Sequence, residues 1–426
     1  MTQPDAAVRG LRDTSEPSAR TLGIGSARKG FVVNVSSSVA FVAIQAVVNL
    51  WFTPYLIRHL GIAAYGMVPL VRSLAAYLLI FTSSLNSAVS RFLTIDLERG
   101  DRLTANKTFN TALFGLVGVV VALSPVVLAL SLVFPHVFDV PPGWERDASW
   151  LFATVAASLF VSVIGSNFAV SSFAHSRFLL SNIVEFAALL AKIGFVVVLF
   201  SLLPAHLWHV GVGMLIAASV FFLGHALLWR RLTPELRVRL AAFDRSRLQP
   251  MMGMGGWVVV SRVGAVLLRR VDLIVVNTFF GAATTGGYGS VLQFTVLIES
   301  LANAGAIVAR PVIMRKYAQR DSAALQRFSS QAVKLLGLAL ALPVGLLCGF
   351  SRPLLSIWLG PSFQNLDVLL VFVVVHLGLV LSALPLAYVQ SAHNKVRWPG
   401  IMTLLSGVTN LVLAILLAVW GGWGVV

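Results

Sequence analysis

Apolar residues in this chain come in long unbroken runs separated by short polar stretches. Each run is about 20 residues or more, the length a helix needs to cross a hydrocarbon core roughly 30 Å thick. The pattern predicts spans over 31–57, 66–89, 108–133, 149–173, 182–203, 210–229, 253–279, 288–309, 331–350, 366–389 and 399–420. Stretches such as 111–133 and 366–381 are apolar on every side. A membrane β-barrel would instead alternate apolar and polar residues in segments of about 10. Helices are therefore the expected way to satisfy the backbone in lipid, and the expected class is an all-α polytopic membrane protein.

Composition agrees, with 58% hydrophobic and 11% charged residues and a mean hydropathy of +0.87. A soluble chain of this size carries far more charge. The net charge of +16 then reads as topology. Taking the stretch before residue 31 and every second loop places 23 Lys/Arg on one side, against Arg58, Arg146 and Arg352 on the other. That asymmetry puts the N-terminus and the basic loops in the cytoplasm, the protein being a multi-pass protein of the cytoplasmic (inner) membrane. These charges lie in short loops beside lipid, so no nucleic-acid partner is expected. Residues 1–30 mix charges with Pro, Ser, Thr and Gly, as a disordered tail does. Cys348 is the single cysteine. No cluster suits a metal or a catalytic nucleophile, and no cofactor or catalytic residue is expected.

The chain also repeats itself at long range. Gly61…Tyr65-Gly66 follows the first span, and Gly281…Tyr288-Gly289 follows the seventh. Asp101 and Asp321 close the next basic loops; Pro141-Pro142-Gly143-Trp144 pairs with Trp358-Leu359-Gly360-Pro361, and His175 with His393. The separations stay near 220 residues. The partners are six spans apart, so the two copies share one orientation, a known way to build transporters around a central site. The expected division is a tail (1–30), a six-helix bundle (31–229), a basic cytoplasmic linker (230–252) and a second bundle (253–426). The second bundle holds five spans, so a twelfth is expected to be missing.

Several of these features resemble the polysaccharide exporters of the multidrug/oligosaccharidyl-lipid/polysaccharide superfamily, which includes Wzx-type flippases. They are the opening span with Asn34 and Ser36–Ser38, the Gly61…Gly66 turn, Arg270-Val271-Asp272, the Gly281…Gly289 turn and Trp358-Leu359-Gly360-Pro361-Ser362-Phe363. The resemblance runs from about residue 30 to the end, carried by order and spacing. It implies two parallel six-helix bundles in a MATE-like V, moving lipid-linked oligosaccharide by alternating access. Implied partners are the lipid-linked oligosaccharide, membrane lipid, a glycan polymerase and a chain-length regulator.

Six basic residues fall inside spans: Arg72, Lys192, Arg262, Arg269, Arg270 and Lys334. Lys334, near a span end, can snorkel to the surface. A charge deeper in the membrane costs several kcal/mol unless it meets water, a partner or a ligand. Arg262 and Arg269, two turns apart, share a face; Asp272 follows on nearly the same stripe and is placed to pair with Arg269, while Arg270 points about 100° away. Glu185 and Lys192 share a face in the fifth span. Glu299, in the eighth, is a partner for a seventh-span arginine if the two helices are neighbours. Setting Asp272, Glu299 and Glu185 against Arg72, Lys192, Arg262, Arg269 and Arg270 leaves positive charge over. A surplus of arginine suits an anionic group such as a lipid pyrophosphate. The candidate substrate-binding residues are therefore Arg262 and Arg269 first, then Arg72 and Lys192, then Arg270. Asp272, Glu299 and Glu185 are candidates for internal pairing or ion coupling. His225 and His376 are further protonation candidates.

Three functions remain open. One is a flippase for polyprenyl-pyrophosphate-linked oligosaccharide (O-antigen, capsule or exopolysaccharide units). It would be driven by potential or an ion gradient, since no GxxxxGK[ST] phosphate loop is present. The second is a cation-coupled exporter of drugs or metabolites, which would favour acidic cavity residues. The third is a membrane glycan polymerase or ligase, which would need external catalytic groups that the short external loops lack.

Overall fold

The computed structural model describes residues 18–82, 89, 92–93, 95–97, 99–175, 177–247, 256–393 and 397–420, the backbone alone over 18–36, 38–39 and 256–258. The expectations for residues 1–17 and for the side chains of Asn34, Ser36 and Ser38 lie outside that description. Among the described residues there are helices and no strand.

The helices are α1 (Ser18–Leu60), α2 (Ile62–Leu78), α3 (Arg102–Val137), α4 (Glu145–Ala174), α5 (Phe178–Leu202) and α6 (Leu207–Leu232). After the linker come α7 (Gly256–Ala318), α8 (Ser322–Gly349), α9 (Ser351–Trp358), α10 (Asp367–Val375), α11 (Leu377–Ser382), α12 (Leu384–Ala392) and α13 (Arg397–Trp420). Nine helices among the described residues are long and apolar enough to cross a membrane. The seventh and eighth expected spans form the two arms of α7, outside those nine, which break at Gly281 (φ 83°, ψ 177°). α1 begins at Ser18, well ahead of residue 31, so part of the stretch read as tail is helical. The tenth expected span breaks after Val375 and again after Ser382. Pro385 explains the second break, since it lacks an N–H and its ring crowds the carbonyl of residue 381.

Large apolar side chains cover the outside, among them Leu132, Leu338, Leu342 and Leu417. A folded surface of that kind belongs in lipid. Inside, one cluster around Met67, Leu70, Leu151 and Val196 fills the first half, and another around Ile298, Leu355 and Leu370 fills the second.

The halves meet with matched geometry 220 positions apart. Gly61 (φ 81°) and Gly281 (φ 83°) both reverse the chain in the left-handed region that only glycine adopts without strain. Gly66 and Gly286 face each other across the boundary. A Cβ on Gly66 would lie 2.6 Å from the Ala282 carbonyl oxygen, and one on Gly286 would lie 2.1 Å from that of Ile62. The same two positions thus serve each other reciprocally, as around a two-fold axis. Asp101 and Asp321 both cap the next helix, accepting from the Thr104 and Ala324 amides at 3.0 and 2.9 Å.

Each half also sends a loop to the other. The Asp139 carboxylate accepts the Ala282 amide at 2.7 Å, while Asn277 exchanges two bonds with the Asp139 backbone. In the opposite sense, the Trp358 indole donates to the Leu50 carbonyl at 2.7 Å. These links lie toward the end of the bundle that carries the glycine turns.

Candidate functional site

α1, α2, α4, α5 and α6 surround a cavity of about 570 Å³, which the first arm of α7 closes from the second half. Its charged lining is Arg72, Lys192 and Arg270 against the single carboxylate of Glu185. Arg72 is within electrostatic reach of both Lys192 and Arg270. The Lys192 ammonium stands 5.5 Å from the centre of the Phe52 ring, a cation–π contact that fixes its long side chain. Gln45 and the hydroxyls of Ser158 and Ser162 complete the polar wall. Both serines donate to their own helix, to Val155 O at 2.7 Å and Ser158 O at 2.8 Å, so their lone pairs remain for a ligand. Among the described residues Glu185 makes no ion pair. Three cations crowded round one carboxylate repel one another, and an anion entering the cavity relieves that repulsion.

The structure separates the sequence candidates by place. Arg72, Lys192 and Arg270 line this cavity; Arg262 and Arg269 do not. Arg269 donates to the Glu299 carboxylate at 2.7 Å, joining the two arms of α7. The expected Arg269–Asp272 pair is not formed. Asp272 instead accepts from Asn410 Nδ2 at 3.0 Å and from the Tyr288 hydroxyl at 3.4 Å, tying α7 to α13. The reason is rotational: Asp272 faces α13, where Asn410 bonds it, and Arg270, two residues back and so about 200° round the helix, faces the cavity. Arg262 and Lys334 are exposed. Glu185 and Lys192 do face one space, as their seven-residue spacing implies. His376 is exposed beside lipid-facing residues. His225 is fully buried, edge-on to Phe221 with ring centres 4.5 Å apart.

Ser158, Ser162 and Asn410 went unremarked in the sequence. The two serines sit one turn apart on one face of an apolar helix, and that spacing was the available signal. Asn410 is the lone carboxamide in its span, but nothing local names Asp272 as its partner.

A sequence profile of the family described as "polysaccharide biosynthesis protein" matches residues 31–316, about two thirds of the chain. The chain belongs to that family. It is 28% identical over 389 residues to the uncharacterized membrane protein EpsK of Bacillus subtilis (strain 168), covering 91% of this chain and 77% of the relative. Its fold matches a multidrug resistance MATE family transporter of the MOP superfamily in the inward-facing conformation (TM-score 0.58, 16% identity, 90% and 88% of the two chains covered). An outward-facing conformation matches equally well (TM-score 0.58, 14% identity, 92% and 94%). A Vibrio cholerae MATE transporter, VcmN, gives a TM-score of 0.57 at 15% identity, with 92% and 97% covered. The chain is thus a multi-pass membrane protein with a MATE-like fold. The fold is the one that these MATE transporters share.

Proposed function

We propose that this protein carries a polyprenyl-pyrophosphate-linked oligosaccharide across the cytoplasmic membrane by alternating access. The observation that carries the reading is the cavity in the first half, closed by Arg270 of the second, with three cations against one carboxylate in a MATE-like fold of a polysaccharide biosynthesis family. The pyrophosphate rests on Arg72, Lys192 and Arg270; the hydroxyls and Gln45 face the first sugars. Arg262 and Arg269, exposed farther along the same arm, meet the substrate on its way in. A cationic drug would face the wrong sign of charge here, which disfavours the exporter alternative.

The glycine crossing and the crossed loops seal the turn end, which supports entry from the basic end. With the basic loops in the cytoplasm, the cavity loads from that side. Glycosyltransferase products feed it, and a polymerase consumes what it releases.

Binding of purified protein in nanodiscs to polyprenyl-pyrophosphate-linked and neutral polyprenyl-linked sugar tests the assignment. Arg72→Ala and Arg270→Ala should each weaken binding of the charged lipid by about 10- to 100-fold, the range for losing a charge-assisted contact. Equal affinity for the charged and neutral lipids would overturn it.

A further inference from the structure

A second cavity lies away from the first, where α6 leaves the membrane and the linker turns back on itself. It also has a volume of about 570 Å³ and is lined by Trp229, Arg230, Pro234, Leu236, Arg237 and Val238. Its two arginines are exposed, and among the described residues neither makes an ion pair. Trp229 is only 8% exposed, and its indole Nε1 is buried with no hydrogen-bond partner. The ring thus serves as an apolar wall of the cavity, its N–H covered by protein. The indole ring cannot swing out to find water, because it stacks on Phe109 at 5.3 Å and meets Phe168 edge-on. The backbone behind the arginines is equally fixed. Asn106 accepts the Arg237 amide at 2.7 Å, and Asn110 bonds both the Arg237 carbonyl and the Arg239 amide at 2.8 Å.

Two exposed guanidinium groups beside a rigid aromatic wall form a receptor for a phosphate. Its level in the membrane and its rim say which phosphate. Arg230 and Arg231 stand in the last turn of an apolar helix, where hydrocarbon gives way to headgroups. The neighbouring Leu227, Val238 and Leu240 are 62%, 47% and 70% exposed, an apolar rim suited to acyl chains.

We propose that this cavity binds the headgroup phosphate of an anionic phospholipid, at the junction of α6 and the linker. Such a lipid fastens the first residues of the linker to the membrane surface. The site is separate from the transport cavity and does not depend on what that cavity carries.

Native mass spectrometry of the full-length protein, delipidated and then titrated with phosphatidylglycerol or phosphatidylcholine, tests the proposal. Wild type should retain phosphatidylglycerol in clear preference. The pair Arg230→Ala and Arg237→Ala should reduce its retention about 25-fold, near 5-fold for each surface arginine. Arg231→Ala, off the lining, should leave it unchanged. Three results would overturn the proposal: no preference between the two lipids, equal losses in the double variant and in Arg231→Ala, or displacement of the lipid by millimolar inorganic phosphate. The last would reassign the cavity to a free phosphate ion.

Discussion

Adding one methyl group at Gly286 should pry the two halves apart at the turn end. In the structure that methyl would lie 2.1 Å from the Ile62 carbonyl oxygen and 3.0 Å from its carbon. Carbon–oxygen contacts settle near about 3.3 Å, so the two backbones must separate by about 1 Å. No rotamer change relieves the clash, because the obstructing atoms are backbone. Overpacking of this kind costs about 1–3 kcal/mol, which weights the sealed arrangement down by about 5- to 150-fold against one open at this end. Spin labels on Arg58→Cys and Thr278→Cys, in a Cys348→Ser background, straddle the boundary at exposed positions. Pulsed electron–electron resonance in nanodiscs should show longer label distances for Gly286→Ala than for wild type. Gly118→Ala, which meets nothing within 4 Å, is the control. A distance distribution that superimposes on wild type, with an unchanged melting temperature, would refute the reasoning.

Four other outcomes follow from particular contacts. Glu185→Gln removes the only carboxylate of the cavity lining and should tighten pyrophosphate-lipid binding about 5-fold, as expected for one screened charge, measured by titration in nanodiscs. A double-mutant cycle on Arg269 and Glu299 should give a coupling below about 1 kcal/mol in thermal unfolding, because the Arg269 side chain is 52% exposed and solvent screens the pair. Asn110→Ala strands the Arg237 carbonyl and the Arg239 amide, costing about 1–3 kcal/mol, and limited trypsin digestion should cut faster at Arg237 and Arg239. Hydrogen bonds from Thr104 hold the Asp101 carboxyl below its usual range. The stability it adds is therefore complete above about pH 4 and lost as pH falls through the lower folded value, so wild type but not Asp101→Ala should lose protection at the start of α3 in acid, read by hydrogen exchange.

Much of the architecture is legible in the sequence because lipid imposes a simple rule on it. Helices such as α3, α8 and α13 must be apolar nearly all round, so their runs announce them. The left-handed turns at Gly61 and Gly281 are legible too, since glycine recurs where the chain must reverse in one residue. The cavity is harder to read. Helical spacing fixes the angle between Arg269 and Arg270 but not which of them faces inward. That choice depends on the helices packed against span seven, including the bond that Asn410 donates to Asp272 from 138 residues away. No local pattern carries that information. The linker hides its order for a related reason. It looks like a loose basic stretch, yet Asn106, Asn110 and Thr111 of α3 hold its backbone at Arg237, Arg239 and Asp244.

That docking decides where this molecule can be divided. Up to Arg247 the linker is bound to the first half, with the Arg247 guanidinium donating to Thr108 at 2.7 Å and meeting Asp96 at 3.4 Å. The second half is gripped from elsewhere, through Gly66 against Gly286, Asp139 against Ala282, and Trp358 against Leu50. Covalent continuity between residues 247 and 256 is therefore not what registers one half on the other. Two polypeptides made separately and split there carry every one of these recognition surfaces intact, so the single chain behaves as a tethered heterodimer.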